Sequence, residues 1–161
     1  RQVKEGHEIA NHTYNHIYNR NITEATLTAE LEQTDKLIQK TIGVKPTLYR
    51  PVGGNYNDLI INTAVKNGKL VILWSWMMDP KDWRNTAASK ISSIIISDVQ
   101  QGNIILLHDW HGTEDSQVSQ TVKSLESIME YLDDNGYKCV TVSELLYHSS
   151  KKMPEILDPA S

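Results

Sequence analysis

The run of apolar residues at 104–107, directly followed by His108, constrains the fold most. It is short, continuous and rich in β-branched Ile, which is typical of a strand buried on both faces of a parallel sheet. Around it the chain alternates other short apolar runs with amphipathic stretches, and Gly and Pro separate them. This alternation predicts an α/β fold.

The same pattern predicts the individual elements. Helices are expected at residues 26–42 (capped by Thr26 or Thr28), 57–67, 86–97, 118–134 and from 143 onward. Strands are expected at residues 48–50, 70–76, 104–108 and 138–142, after an extended piece at 8–11. A closed eight-stranded barrel usually needs roughly 250 residues. The 161 residues therefore predict a partial (β/α) barrel forming a single domain over residues 1–161.

Composition narrows the function classes. The formal net charge of -4 argues against a nucleic-acid binder, which would carry a basic face. No apolar run approaches the roughly 20 residues of a membrane span. The single cysteine, Cys139, lies in an apolar run and is predicted to be a buried packing residue. The chain begins at Arg1 without an initiator Met, which we interpret as a start inside a larger precursor.

The strongest chemical signal is the sequence H-T-Y-N-H at residues 12–16. Two imidazoles at i and i+4, His12 and His16, can bind one metal if the backbone makes a single helical turn. The Glu of an H-E-x-x-H zincin is absent. Two solvent-exposed histidines are the alternative. A catalytic zinc takes three protein ligands, so a third must come from elsewhere.

Three further motifs follow predicted strands: residues 50–54, residues 79–83 and His108. Arg50 could fix a carboxylate, and the glycines after it allow close backbone approach. A carboxylate in 79–83 could orient a histidine, and Trp83 could present its indole face to a sugar. Singly, an ordinary turn or a core histidine explains each motif. Their shared position at strand ends favours a common site.

In order along the chain, these four segments resemble the motifs of NodB-type polysaccharide deacetylases, carbohydrate esterase family 4. Residues 12–16 are similar to the metal motif H-[S/T]-x-x-H and residues 50–54 to R-x-P-[YF]-G. Residues 79–83 match D-x-x-D-W, and residues 106–108 match L-x-H. The resemblance covers residues 3 to 148. It implies a partial or distorted (β/α) barrel of the NodB-homology type.

The resemblance also implies a function. The expected activity is that of a metal-dependent hydrolase using Zn²⁺, or another divalent transition metal such as Co²⁺, to remove acetyl groups from a polysaccharide. The leading expectation is N-deacetylation of N-acetylglucosamine units in peptidoglycan or chitin-type oligomers. The alternatives are an O-acetyl xylan esterase and a catalytically inactive glycan-binding relative. A bacterial protein that is extracellular or associated with the cell wall is implied.

The family's residue roles fall on matching positions of this chain. His12 and His16 are the implied metal ligands. His108 is the implied general acid, tuned by Asp82, and Arg50 is expected to hold the catalytic base. The implied substrate-binding residues are Gly53, whose N–H would stabilise the oxyanion, together with Trp83 and Leu106.

Two departures from the family pattern bear on these expectations. Val52 and Gly53 stand where the family has Pro and an aromatic residue, so an aromatic wall of the groove is expected to be lost. The family's T-F-D-D motif, which supplies the third ligand and the base as adjacent aspartates, does not occur. We expect a separate N-terminal fragment of the same precursor to dock and supply these aspartates with the first strands.

Overall fold

A computed structural model describes residues 1–18, 21–109 and 118–150. The fold is α/β, as predicted. Its main elements are α1 (Glu24–Ile42), β1 (Leu48–Tyr49), α2 (Asp58–Lys66), β2 (Leu70–Val71), α3 (Ala88–Asp98), α4 (Val118–Asp134) and α5 (Val142–Ser150). Short 3-10 turns occur at Gln2–Glu5, Val52–Gly54, Trp76–Met78 and Asp82–Arg84. In the described part of the chain, no helix combines the length and apolarity that a bilayer crossing requires.

The chain divides into two compact units. The first contains Arg1–Leu73 and Thr141–Ser161, and the second contains Trp74–Val140. The prediction of a single domain over residues 1–161 stays a prediction.

Helix α1 begins and ends at residues that suit those positions. Thr23 adopts an extended conformation, and its hydroxyl accepts a hydrogen bond from the Thr26 N–H. Gly43 ends the helix with a φ of 82°, a left-handed conformation that glycine adopts without strain. The predicted end at Gly43 is confirmed, and the predicted cap at Thr26 or Thr28 is wrong because Thr23 already supplies the acceptor.

The first unit is built on a β1–α2–β2 segment. Strands β1 and β2 pair in parallel, with Leu48 opposite Leu70. Asn11 forms an isolated parallel bridge beside Tyr49, so the predicted extended piece reaches the sheet only at this residue. The core between the sheet, α1 and α2 contains Ile22, Leu27, Leu31, Tyr49, Ile60 and Ala64.

Fewer strands form than the sequence predicts. Strand β2 ends at Val71 rather than at residue 76, and residues 104–108 and 138–142 are not strands. The 104–108 run faces a 3-10 turn, and two backbone hydrogen bonds connect it, Ser75 N–H to the Ile104 carbonyl and Leu106 N–H to the Met78 carbonyl. A strand needs a neighbouring extended segment with regularly spaced N–H and C=O groups, and a turn does not provide one. Cys139, predicted to be buried in a strand, is exposed.

The second unit packs α3 against α4. Its core contains Met78, Ile91, Ile95, Ile128 and Leu132. The apolar residues that recur at helical spacing along α4 have different surroundings: Leu132 is buried, whereas Val122, Leu125 and Met129 are exposed. The buried positions of the same helix are Thr121, Ser124, Ile128 and Leu132. Thr121 lies inward because its hydroxyl donates to the buried carboxylate of Asp82.

Candidate active site

The two histidines of the H-T-Y-N-H motif lie side by side in the first unit. The ring centroids of His12 and His16 are 5.1 Å apart, in an edge-to-face arrangement with an interplanar angle of 70°. The predicted helical turn is wrong. A bent loop brings the rings together instead, with φ values of 67° at Thr13 and 52° at His16.

This loop stores backbone strain. A positive φ is unusual for any residue with a side chain and rarer still for β-branched Thr13. Such conformations cost about 1–3 kcal/mol each and cluster at functional sites. The Thr13 hydroxyl is also buried without a hydrogen-bond partner among the described residues. The surrounding structure must therefore hold the loop firmly.

The backbone at the end of β1 fixes the His12 ring. The His12 Nδ1 atom lies 2.5 Å from the carbonyl oxygen of Arg50, and a carbonyl can only accept. Nδ1 is therefore protonated, and the lone pair that could coordinate a metal is on Nε2. The Arg50 N–H donates to the Asn11 carbonyl at 3.0 Å, so the same strand end also fixes the start of the loop.

A carboxylate from α1 holds the middle of the loop. Glu30 is buried and accepts hydrogen bonds from the backbone N–H groups of Tyr14 at 2.9 Å and Asn15 at 2.7 Å. The Asn15 side-chain amide donates to its other oxygen at 2.6 Å. Burial alone would raise the pKa of Glu30, but these hydrogen bonds from Asn15 and Tyr14 outweigh it and lower the pKa below 4.5.

A buried ion pair supports the loop from beneath. Lys69 is fully buried, and its ammonium lies 2.5 Å from the Asp35 carboxylate. The other Asp35 oxygen accepts from the Asn11 side-chain amide N–H at 2.7 Å, and the side-chain oxygen Oδ1 of Asn11 accepts from the Thr13 N–H at 2.9 Å. Burial lowers the pKa of Lys69, and the contact with Asp35 opposes that shift. The buried ion pair of Lys69 and Asp35 is thus connected, through the Asn11 side chain, to the strained backbone at Thr13.

The histidine pair fits part of a metal site. The rings are adjacent, and the contact with Arg50 sets the coordinating tautomer of His12. Across residues 1–18, 21–109 and 118–150, no group of three or more His, Cys, Asp or Glu side chains could hold a metal ion. If this pair holds a zinc ion, the described residues would contribute two of the three protein ligands that a catalytic zinc requires.

The R-P-V-G-G motif places Gly53 in a 3-10 turn with a φ of 61°. A Cβ atom at this position would lie 2.2 Å from Cε2 of Tyr18, so the turn requires glycine both for its conformation and for its space. The next residues line a surface pocket of about 300 Å³, formed by Gly54, Asn55, Tyr56, Asn57 and Ile60.

In the second unit, the structure brings His108 and Asp82 together. Asp82 is fully buried and accepts from the His108 N–H at 2.7 Å, from ring Nδ1 at 2.8 Å and from the Thr121 hydroxyl at 3.0 Å. Burial would raise the pKa of Asp82, but the hydrogen bonds from His108 and Thr121 lower it below its usual value. The carboxylate at Nδ1 fixes the orientation of the ring.

The other residues of these motifs have separate surroundings. Asp79 accepts from the Lys81 N–H at 3.1 Å and forms an ion pair with the ammonium of the same lysine. Trp83 is 43% exposed, and the Arg84 guanidinium lies 4.5 Å from its ring. Leu106 is buried within the second unit. The predicted substrate-binding roles of Trp83 and Leu106 stay predictions.

Sequence reasoning missed the residues that hold the histidine loop. Glu30 and Asp35 sit three and four residues after Leu27 and Leu31, on the helix face that those leucines bury. The sequence therefore contained a signal for these residues, because two acidic side chains fall on the face of an amphipathic helix that should be buried. Lys69 carried no comparable signal, because it stands alone before a strand.

The chain was compared with known proteins. The family model described as polysaccharide deacetylase matches residues 1–72. A peptidoglycan-N-acetylglucosamine deacetylase of Bacillus cereus is 42% identical over 144 residues, which cover 89% of this chain and 65% of that protein. A bifunctional xylanase/deacetylase of Pseudobutyrivibrio xylanivorans is 36% identical over 90% of this chain. The chain thus spans 65% and 22% of these relatives' lengths.

A solved structure agrees with the sequence relatives. The Xyl-CE4 domain of a multidomain xylanase, from the hindgut metagenome of Trinervitermes trinervoides, is 30% identical with a TM-score of 0.79. The match covers 92% of this chain and 67% of that one. The four ordered motifs, the matching family model and this structural similarity agree, and the chain belongs to the polysaccharide deacetylase family.

Proposed function

We propose that the protein is a metal-dependent hydrolase that removes acetyl groups from a polysaccharide, foremost from N-acetylglucosamine units of peptidoglycan. The observation that carries the proposal is the pair of imidazole rings, His12 and His16, with centroids 5.1 Å apart in a strained loop. The 42% identity to the Bacillus cereus deacetylase supports the reaction and the substrate. A bacterial protein at the cell wall or outside the cell follows from such a substrate.

The proposed metal is Zn²⁺ or Co²⁺, held by His12 through Nε2 and by His16. When bound, such an ion polarises a carbonyl group and lowers the pKa of water toward about 7. We propose that the third ligand and the catalytic base are aspartates on a docked N-terminal fragment of the same precursor. That fragment would also supply the first strands of a partial (β/α) barrel.

The remaining roles belong to residues of this chain. His108 would protonate the leaving amine nitrogen as general acid, and the buried Asp82 carboxylate would stabilise its imidazolium form. The Gly53 N–H would donate a hydrogen bond to the developing oxyanion. Removing one such donor from an enzyme typically lowers kcat by a factor of roughly 10²–10³. The Arg50 side chain would orient the base. Leu106 and Trp83 would shape the acetyl pocket and the groove.

Two variants test the separate roles. His12→Ala should lose bound metal and activity together, whereas His108→Ala should keep the metal and lose turnover. Metal content is measured by mass spectrometry, and acetate release is measured on N-acetylglucosamine oligomers. His148→Ala is the control, because this exposed histidine on α5 lies outside every motif. Near-normal acetate release by His108→Ala would disprove the acid role.

A second candidate is O-acetyl esterase activity on xylan. Similarity to the bifunctional xylanase/deacetylase and to the Xyl-CE4 domain favours it. Acetate release from acetylated xylan, compared with release from N-acetylglucosamine oligomers at equal enzyme concentration, separates the two activities. Glycan binding without any acetate release would instead identify a non-catalytic relative.

A further inference from the structure

The ring of Tyr18 lies in the space that a side chain at position 53 would occupy. Its Cε2 and Cδ2 atoms are 2.2 and 2.9 Å from the point where a Cβ of residue 53 would begin. Real Cβ atoms do not approach other atoms this closely, so the position of the ring depends on Gly53 having no side chain. An aromatic ring from the histidine loop thus covers the glycine of the R-P-V-G-G turn.

Most of the Tyr18 side chain is exposed. It is 68% exposed, although an aromatic ring gains most when it is buried. It follows His16 by two positions. Asn55, whose amide nitrogen lies 3.2 Å from the same Cβ point, lines the 300 Å³ pocket together with Tyr56. The first unit therefore presents an exposed aromatic surface directly beside a polar pocket.

This arrangement suits a sugar ring. A hexose has an apolar face of C–H groups and a polar edge of hydroxyl and acetamido groups. A flat aromatic ring complements the face, and adjacent amide and hydroxyl side chains complement the edge. Tyrosine adds little entropy cost because it has only two side-chain torsions.

We propose that Tyr18 is a specificity-determining residue whose ring binds the apolar face of a pyranose unit of the glycan, with the pocket at residues 54–57 receiving the polar edge of that unit. The inference rests on the proposed function for the identity of the glycan. Gly53 is the second determinant, because it makes room for the ring.

The first test measures binding and turnover of the full chain with two probes, the tetramer of N-acetylglucosamine and xylotetraose. For whichever tetramer the wild-type protein binds, Tyr18→Ala should raise Kd and KM about tenfold, with a smaller change in kcat. Tyr18→Phe keeps the ring and should stay close to wild type. Tyr147→Ala is the matched control, since Tyr147 is 51% exposed on α5 and lies outside the motifs.

The second test uses Gly53→Ala. The new methyl group must displace the Tyr18 ring, so this variant should weaken tetramer binding in the wild-type background. In the Tyr18→Ala background the same change meets no ring, and its effect should be clearly smaller. Residues that act through one contact show such non-additivity. Effects that multiply independently would overturn the claim that Gly53 acts through Tyr18.

The outcomes separate this inference from the proposed function. If Tyr18→Ala binds and processes the tetramers like wild type, or if the wild-type protein binds neither tetramer, Tyr18 is not a glycan platform. If binding depends on Tyr18 but no acetate is released from any substrate, the proposed function is wrong and the role of Tyr18 in glycan binding is supported. If acetate is released and Tyr18→Ala changes nothing, the inference alone fails.

Discussion

The carboxylate of Asp82 accepts two hydrogen bonds from His108, one from its backbone N–H at 2.7 Å and one from ring Nδ1 at 2.8 Å. The same buried acid therefore fixes both the main chain and the side chain of the histidine. The Thr121 hydroxyl, at 3.0 Å, is a third donor to this carboxylate. An arrangement with this many donors keeps the acid ionised and the ring in one orientation.

Asp82→Asn should therefore lower kcat for deacetylation by roughly 10²–10⁴, the usual contribution of a positioned acid or base. The amide has one acceptor oxygen instead of two, so it cannot hold both the backbone N–H and the ring Nδ1 of His108 as the carboxylate does. Bound metal should be retained, because the proposed metal ligands, His12 and His16, belong to the other unit. Asp79→Asn in the same motif is the control, and its loss of kcat should be much smaller. Equal losses for the two variants would contradict a specific role for Asp82.

Glu30→Gln should lower the free energy of unfolding by about 1–3 kcal/mol, because three donors of the histidine loop lose a charged acceptor. It should also weaken metal binding, since the loop would no longer hold both rings in place. Glu32→Gln on the same helix is the control, because Glu32 is exposed and contacts Lys36 at 3.8 Å. Denaturant titration and metal titration measure the two effects. A loss of stability without any loss of metal affinity would show that Glu30 does not position the ligands.

The contribution of Glu30 should depend on pH in one direction. Its pKa in the folded protein is below the ordinary value of 4.5, so the unfolded chain takes up the proton first as pH falls. The stability difference between wild type and Glu30→Gln should be complete above pH 4.5 and disappear as pH falls through the folded-state pKa. Metal should be removed beforehand, because acid also protonates the histidine ligands. A difference that grows toward low pH would contradict the assignment.

Lys69→Met should lower the free energy of unfolding by about 3–5 kcal/mol, because removing one partner of a buried ion pair leaves the other charge uncompensated. Lys45→Met is a matched control. Lys45 lies 3.8 Å from the same oxygen of Asp35, but its side chain is 59% exposed, and an exposed pair contributes about 0–1 kcal/mol. Similar losses for the two lysines, measured by denaturant unfolding, would show that burial does not determine the effect.

The sequence predicted local elements well where their signals are local. Helix α2 lies within the predicted 57–67 range, with Asn57 and Asn67 as its capping residues. Gly43 caps the C-terminal end of α1, as predicted. Capping and left-handed glycine depend on neighbouring backbone only, so they can be read from short segments. The predicted strand at 104–108 needed a second strand to pair with. The segment that faces it is a 3-10 turn instead, and this could not be foreseen from the sequence of 104–108.

The site shows the same limit. The proximity of His12 and His16 was expected from their spacing, but the left-handed Thr13 that brings them together was not, because Thr rarely adopts that conformation. On α4, the buried position of Thr121 was not expected either, because it depends on the hydrogen bond from its hydroxyl to the buried carboxylate of Asp82. Polar contacts between distant segments have no periodicity in the sequence.

The strained backbone at Thr13 limits how heat-resistant this protein can become. An engineer seeking a hardier version would replace Thr13 with Asn or Gly, which tolerate a φ of 67° far better. Glycine would also let the loop leave the shape that keeps the two imidazoles adjacent. Glycine at position 13 would therefore relieve strain but loosen the histidine pair, whereas Asn would relieve strain and keep the left-handed backbone that holds the rings together.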